Sequence, residues 1–197
     1  MAASILFPGA GGTELPSEKL PVVTEQRDTW HIQIPTPLGP MCAVATDEAL
    51  VLLEFQEERR VAIQTGSLGR YISGPQHEST NPVLDNFQKE LHAYFHGEIQ
   101  AFTVPTKLYG TEFQKLVWRH LLAIQYGQTA TYAQVARSIE KRDASRAVGK
   151  ANGDNRIAIV VPCHRVIRAD GHMCGYGGGL WRKQYLLALE SGQPLLL

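Results

Sequence analysis

The run Ile157-Ala158-Ile159-Val160-Val161, stopped by Pro162 and followed at once by Cys163-His164-Arg165, constrains this chain more than any other stretch. Five consecutive apolar residues read as a short buried strand. Proline has no amide hydrogen and a fixed φ, so the strand must exit sharply and aim Cys163 into a pocket. An isolated cysteine is usually an inert core residue. A cysteine beside an imidazole and a guanidinium is different, because nearby cations favour the thiolate, the nucleophilic form. Neighbours in sequence need not touch, so the run suggests a nucleophile without fixing its partners.

The rest of the chain narrows the setting. Its 197 residues allow one large domain or two small ones, and 44% hydrophobic with 19% charged residues suits a packed globule. No apolar run approaches the roughly 20 residues of a bilayer span, and Met1 to Gly12 lacks the basic start and apolar stretch of a secretory leader. The cysteines are Cys42, Cys163 and Cys174. Three, with no CxxC and no metal-ligand spacing, suggest neither a disulfide framework nor a zinc site, and fit a reducing, intracellular setting. The net charge of zero conceals a split. Up to Tyr109 there are 7 Lys+Arg against 13 Asp+Glu; beyond it, 12 against 6. A basic second half is an electrostatic candidate for nucleic acid, or simply a polarised solvated surface.

Residues 1–28, rich in Gly, Pro, Ser and Glu, read as a flexible tail. Trp30 to Ile34 alternates, Pro35 to Gly39 is a turn, and Met41 to Ala45 and Ala49 to Phe55 read as two more strands of an antiparallel sheet. Glu57 to Thr80 gives no pattern. Asn81 and Pro82 then start a helix whose Val83, Leu84, Phe87, Leu91, Tyr94 and Phe95 share one face, with Gly97 to close it. It should cover one face of the sheet. No catalytic constellation is visible in this α+β half, and Phe102 to Tyr109 reads as the connection to the next.

The second half reads as mainly helical. Thr111…Gln114 and Thr131…Gln134 both have capping-box spacing. The first opens a helix ending near Gly127; the second opens a short helix to about Ile139. After a turn at Lys141-Arg142, Asp143 can cap another short helix to about Ala151. Two short helices across a tight turn resemble a helix-turn-helix. In the latter, Ala144, Ala147, Gly149, Ala151 and Gly153 carry little bulk, while Arg146 and Lys150 share a face. Small residues suit close approach to a minor groove, or equally a tight helix crossing.

Val161-Pro162-Cys163-His164-Arg165-Val166 resembles the active-site signature of the O6-alkylguanine-DNA alkyltransferases, the methylated-DNA–protein-cysteine methyltransferases. The resemblance runs from Gly110-Thr111-Glu112-Phe113-Gln114 through Val117-Trp118, Tyr126-Gly127, Thr131-Tyr132, Ser145 to Gly149, and Asn155. Past the cysteine it continues through Gly175-Tyr176, Gly179-Leu180, Arg182-Lys183 and Leu186-Leu187 to Glu190. It implies an α+β fold: a ribonuclease-H-like N-terminal domain (29–108) with a small antiparallel sheet, and a mainly helical C-terminal domain (109–197) with a helix-turn-helix.

The resemblance also implies roles. Cys163 takes the alkyl group from O6-alkylguanine, and from O4-alkylthymine, in one irreversible turnover. His164 is its base through a water, Glu190 orients His164, and Asn155 braces the surrounding turns. Tyr132, Val166, Tyr176, Gly177 and Gly178 bind the extruded base; Thr131, Tyr132, Arg146 and Lys150 bind double-stranded DNA through its minor groove, Arg146 filling the gap in the stack. Extrusion is required because the alkyl carbon cannot be reached inside a duplex. No metal or cofactor is implied, and no membrane. The protein is expected to be a monomer, cytoplasmic, or nuclear in a eukaryote.

Two departures stand out. Ala133 and Ala169 lack the hydroxyl some relatives carry there, so a phosphate contact is missing. Gly177-Gly178-Gly179 predicts a pocket open to large O6 substituents, because glycine leaves space. Cys174 reads as a spectator near that lid. The rivals are an alkyltransferase-like protein that binds alkylated DNA without repairing it, which would lack the nucleophile, and a thiol hydrolase, which leaves the helix-turn-helix unexplained.

Overall fold

The alternating N-terminal segments pair as their patterns require. In the computed structural model, which describes residues 24–173 and 175–193, a two-residue β1 (Glu25–Gln26) leads into β2 (Thr29–Ile34), β3 (Met41–Ala45) and β4 (Leu50–Phe55). β3 pairs antiparallel with both β2 and β4, with Cys42 opposite Glu54. The following α1 (Glu58–Leu68), β5 (Ile72–Ser73) and β6 (Gln76–His77) fill the stretch that showed no pattern. β6 joins β2 in parallel, giving the order β4-β3-β2-β6, and β5 pairs in parallel with β1. The expected tail at 1–28 therefore loses its last residues to structure: Lys107 and Tyr109 both donate to the Glu25 carboxylate, at 2.7 and 2.9 Å. The rest of it, 1–23, lies outside the described residues.

α2 (Pro82–Phe95) begins as its sequence dictates. Asn81 accepts from Leu84 N at 2.9 Å and Pro82 occupies the first turn. Its buried Leu84, Phe87, Leu91, Tyr94 and Phe95 pack on one face of the sheet with Ile34, Met41, Ala43 and Leu53. α1 covers the other face, where Val61 and Leu68 meet Cys42, Val44 and Leu52. Both sheet faces are thus dry, which is why every residue of β3 and β4 is buried.

In the second half, α3 (Glu112–Leu122) and α4 (Tyr132–Ser138) each start with a complete capping box. α3 ends at Leu122, one turn short of Gly127. β7 (Ala130–Thr131) precedes α4 and pairs in parallel with β8 (Val166–Ile167), setting Tyr132 beside the cysteine segment. α5 (Ser145–Gly153) has no side-chain cap: its N-cap is Ala144, and Asp143 does not serve as expected. α3, α4 and α5 pack on one another with Val148 and Ala151 facing inward and Arg146, Ala147, Lys150 and Gly153 outward. The small residues divide between the helix crossing and the outer face. Gly149 lies against the Tyr132 ring and Ala151 is in the core, while Ala147 and Gly153 lower the outer face. A last helix, α6 (Leu180–Ser191), closes the chain over this half.

The apolar run at 157–161 is buried but is not a strand. Only Ile157 bridges to Leu53 of β4; Val161 N then turns back to Ile157 O at 2.9 Å, and Ile159 takes φ 68°. A β-branched residue there is strained. The Asn155 side chain holds the turn, accepting from Ile157 N at 3.0 Å and donating to Val161 O at 2.9 Å, bonds a strand ladder would otherwise supply. Among the described residues no helix is long and apolar enough to cross a membrane.

Candidate active site

Cys163 opens a single 3-10 turn, Cys163–Arg165, directly after Pro162, and is buried. Asn155 Nδ2 reaches its Sγ at 3.1 Å, and Asn152 Nδ2 its carbonyl at 3.2 Å. Burial pushes the Cys163 thiol up, and the Asn155 bond pulls the other way without overcoming it. The resting group is a thiol, not the thiolate that adjacent cations suggested. Arg165 explains why: its guanidinium turns away and grips Glu190 with Nε at 2.8 Å and Nη2 at 2.9 Å.

His164 is fully buried, with Nε2 2.8 Å from Glu190 Oε1. Glu190 also accepts from Tyr94 Oη at 2.7 Å and from Gly127 N at 3.2 Å. Burial alone would raise its carboxyl; the bonds from His164, Arg165 and Tyr94 win and hold it at about 2. His164 moves down, because burial outweighs the pull of Glu190. A neutral imidazole facing an ionised carboxylate carries its proton on Nε2. Nδ1 is then the bare nitrogen, and it is buried with no hydrogen-bond partner among the described residues. The turn supplies a thiol held by an amide and, one residue on, an imidazole fixed in the tautomer that can accept a proton.

Two contributors to this network were missed in the sequence. Tyr94 was read as one more apolar residue of α2; its buried hydroxyl needs a partner, and that was the available signal. Gly127 was read as a helix end. It has φ 73°, and a Cβ there would sit 2.9 Å from Glu190 O, so only glycine lets this amide approach the carboxylate.

Of the expected base-binding residues, Tyr176 lies close enough to the thiol for each to bear on the other's charge. Tyr176 Oη is buried without a partner among the described residues, its phenol driven well up by burial and by Cys163. Val166 O accepts from the buried Lys183 Nζ at 2.5 Å, so this carbonyl, like that of Cys163, holds one donor already. Gly177 and Gly178 do not leave open space. The Arg60 guanidinium lies where a Gly177 Cβ would be, and the Phe55 ring is 2.5 Å from a Cβ built on Gly178. Side chains from the first half occupy the space that the missing Cβ atoms leave, so these glycines do not open the site by themselves.

On the outer face, Thr131 is committed to capping α4 through Gln134 N at 3.1 Å, and Tyr132 is that helix's first residue. Arg146 and Lys150 are exposed on α5, and Lys150 is paired with Asp154 at 2.9 Å. Arg168, not singled out in the sequence, lines a cleft of about 340 Å³ with Thr131, Tyr132 and Ser145. Cys174 lies outside the described residues. Among those described, no cluster of His, Cys, Asp or Glu could hold a metal ion.

Residues 31–108 match the ribonuclease-like domain, and residues 112–192 the DNA binding domain, of 6-O-methylguanine DNA methyltransferase. The chain belongs to that family. It is 43% identical over 157 residues to a methylated-DNA–protein-cysteine methyltransferase of Mycolicibacterium paratuberculosis, covering 80% of this chain and 89% of the relative. It is 41% identical over 157 residues to the protein of that name in Methanosarcina acetivorans, covering 79% and 94%. The crystal structure of Mycobacterium tuberculosis OGT in complex with DNA superposes with a TM-score of 0.69 at 39% identity, covering 84% of this chain and 93% of that one. The α+β fold, a sheet-containing first half and a helical second, is the one this family has.

Proposed function

We propose that this protein repairs DNA by direct reversal, moving the alkyl group of O6-alkylguanine, and of O4-alkylthymine, irreversibly onto Cys163. The observation that carries the reading is the bare Nδ1 of His164, whose ring Glu190 fixes one residue on in the chain from a buried thiol. The Cys163 proton passes through a water to Nδ1, Sγ attacks the alkyl carbon, and the carbon–O6 bond breaks. The electron pair leaves on O6, and Tyr132 donates to the ring nitrogen as the guanine departs. Sulfur gains the alkyl group and the base regains its carbonyl. A thioether has no leaving group this site can activate, so each molecule acts once.

Damaged duplex enters through the minor groove, along the outer face of α5, whose Ala147 and Gly153 allow close approach between Arg146 and Lys150. Arg146 takes the place of the extruded nucleotide, and Tyr132 and Thr131 turn its flanking phosphate. Residues 29–108 and 109–197 form the two domains, the protein acts as a monomer, and its place is the cytoplasm, or the nucleus in a eukaryote. The rival in which alkylated DNA is bound but not repaired is disfavoured by the intact Cys163, His164 and Glu190.

Titration of the protein with methylated duplex tests the reading. Transfer is expected to stop at one methyl group per protein. Continued turnover, or binding with no transfer, contradicts it. Affinity for unmodified duplex should fall steeply with salt and vary little with sequence, because phosphate contacts dominate.

A further inference from the structure

The lid belongs to the C-terminal half, but what it rests on does not. Phe55 ends β4, is fully buried, and meets Tyr176 edge-on with ring centroids 6.3 Å apart, while the same ring abuts Gly178. Arg60, in the first turn of α1, lays its guanidinium against Gly177. It is anchored from behind by the buried Glu54, Nε to Oε2 at 2.7 Å, and donates weakly to Gly153 O at 3.4 Å at the end of α5. Arg182 secures the other end: it donates to Gly178 O at 2.6 Å and to Leu38 O at 2.9 Å, pairs with Glu57, and stacks on Phe55 at 4.3 Å. Arg60 and Glu54 also bear on the ionisation of both Cys163 and Tyr176, which places them at the pocket.

We propose that Phe55 and Arg60 determine the largest O6 substituent the protein accepts, by holding Tyr176–Gly178 down over Cys163 from the ribonuclease-like half. The proposal rests on the alkyl-transfer reading above and adds the source of its size limit. Phe55 meets the Tyr176 ring and Gly178, and Arg60 meets Gly177, so two of the three lid residues have no side chain to yield. A larger alkyl group must lift the lid off a packed ring and a guanidinium that is itself tied to a buried carboxylate. Packing at that density resists small displacements, and a methylene-sized misfit in an apolar pocket commonly changes rates by about 10-fold or more.

The test compares single-turnover transfer of methyl from O6-methylguanine and of benzyl from O6-benzylguanine, both as free bases. It uses wild type, Phe55→Leu, Arg60→Ala and Arg60→Lys. Phe55→Leu and Arg60→Ala are each expected to raise the benzyl-to-methyl rate ratio by about 10-fold. Arg60→Lys keeps the charge but not the flat group against Gly177, and should raise the ratio as well. If Arg60→Ala does not fold, Phe55→Leu and Arg60→Lys decide. A ratio within about twofold of wild type in the folded variants overturns the proposal, since a role limited to stability would slow both substrates alike. A wild-type protein that takes no methyl group from a methylated duplex overturns the alkyl-transfer reading and this proposal with it. An unchanged ratio in a wild type that does react overturns this proposal alone.

Discussion

Tyr94 of α2 donates its hydroxyl to Glu190 of α6 at 2.7 Å, joining the sheet-covering helix of the first half to the carboxylate that fixes His164 in the second. The N-terminal half is therefore part of the proton-handling network. Tyr94→Phe keeps the ring and removes only this bond. Stability should fall by about 1.5–3 kcal/mol, the usual worth of a hydrogen bond to a charged group. Transfer should slow by less than about 10-fold, because Arg165, His164 and Gly127 still hold the carboxylate. Chemical denaturation with single-turnover kinetics measures both.

Glu190→Gln is expected to do much more. It leaves the Arg165 guanidinium buried without its counter-charge, at a cost of about 3–5 kcal/mol near neutral pH. The Glu190 carboxyl lies at about 2 in the fold against 4.5 ordinarily. Its contribution is thus fully present above about pH 4.5 and lost as pH falls toward 2. The stability gap between variant and wild type should narrow across that window in urea titrations. A constant gap contradicts the assignment.

The pH dependence of transfer distinguishes a general base from a preformed thiolate. Burial lowers His164 and raises the Cys163 thiol. A neutral His164 that takes the proton during attack gives a rate nearly flat from about pH 6.5 to 8, falling only in more acid solution. A rate that climbs about 10-fold per pH unit through that range means that the thiolate forms first, and contradicts the role given to Nδ1.

Two glycine substitutions should move stability in opposite directions. A Gly178 Cβ meets the Phe55 ring at 2.5 Å, so Gly178→Ala should destabilise by about 1–3 kcal/mol through overpacking. Gly66 lies within α1 with nothing within 4 Å of its Cβ position, so Gly66→Ala should stabilise by about 0.5–1 kcal/mol. Thermal melts of the two against wild type check the pair.

Arg146→Ala should weaken methyl transfer from duplex DNA far more than transfer from free O6-methylguanine. Arg146 is exposed at the start of α5, away from the thiol, and its proposed work is to hold an opened stack. Opening costs a few kcal/mol that a free base does not incur. Equal losses on both substrates contradict that work.

Local signals in the sequence carried much of this. The Asn81 cap with Pro82 and the two capping boxes mark helix starts because each is a complete hydrogen-bond solution within four residues. The Cys163-His164-Arg165 run stood out by its residue types alone, since its hydrogen-bond partners Asn155 and Glu190 lie 8 and 25–26 residues away. What depends on distant partners was hidden. α1 buries Gln64 and Thr65 on its inner face, Gln64 donating to Asn155 O at 3.2 Å, so its apolar period is broken where it packs. The 157–161 run resembles a strand until Asn155 supplies its bonds from the side. Arg165 gave no sign that it would turn to Glu190, and the lid glycines gave none that Phe55 and Arg60 would fill their space.

Mass spectrometry after incubation with a methylated duplex tests the central claim most directly. Burial pushes the Cys42 thiol up to about 12, away from the nucleophilic thiolate, and Cys163 is the thiol that the proposed transfer uses. The intact protein should gain the mass of one methyl group and no more, and peptide mapping should place it on Cys163. A methyl group on Cys42 or Cys174, more than one per molecule, or no gain while the DNA loses its methyl group contradicts the account.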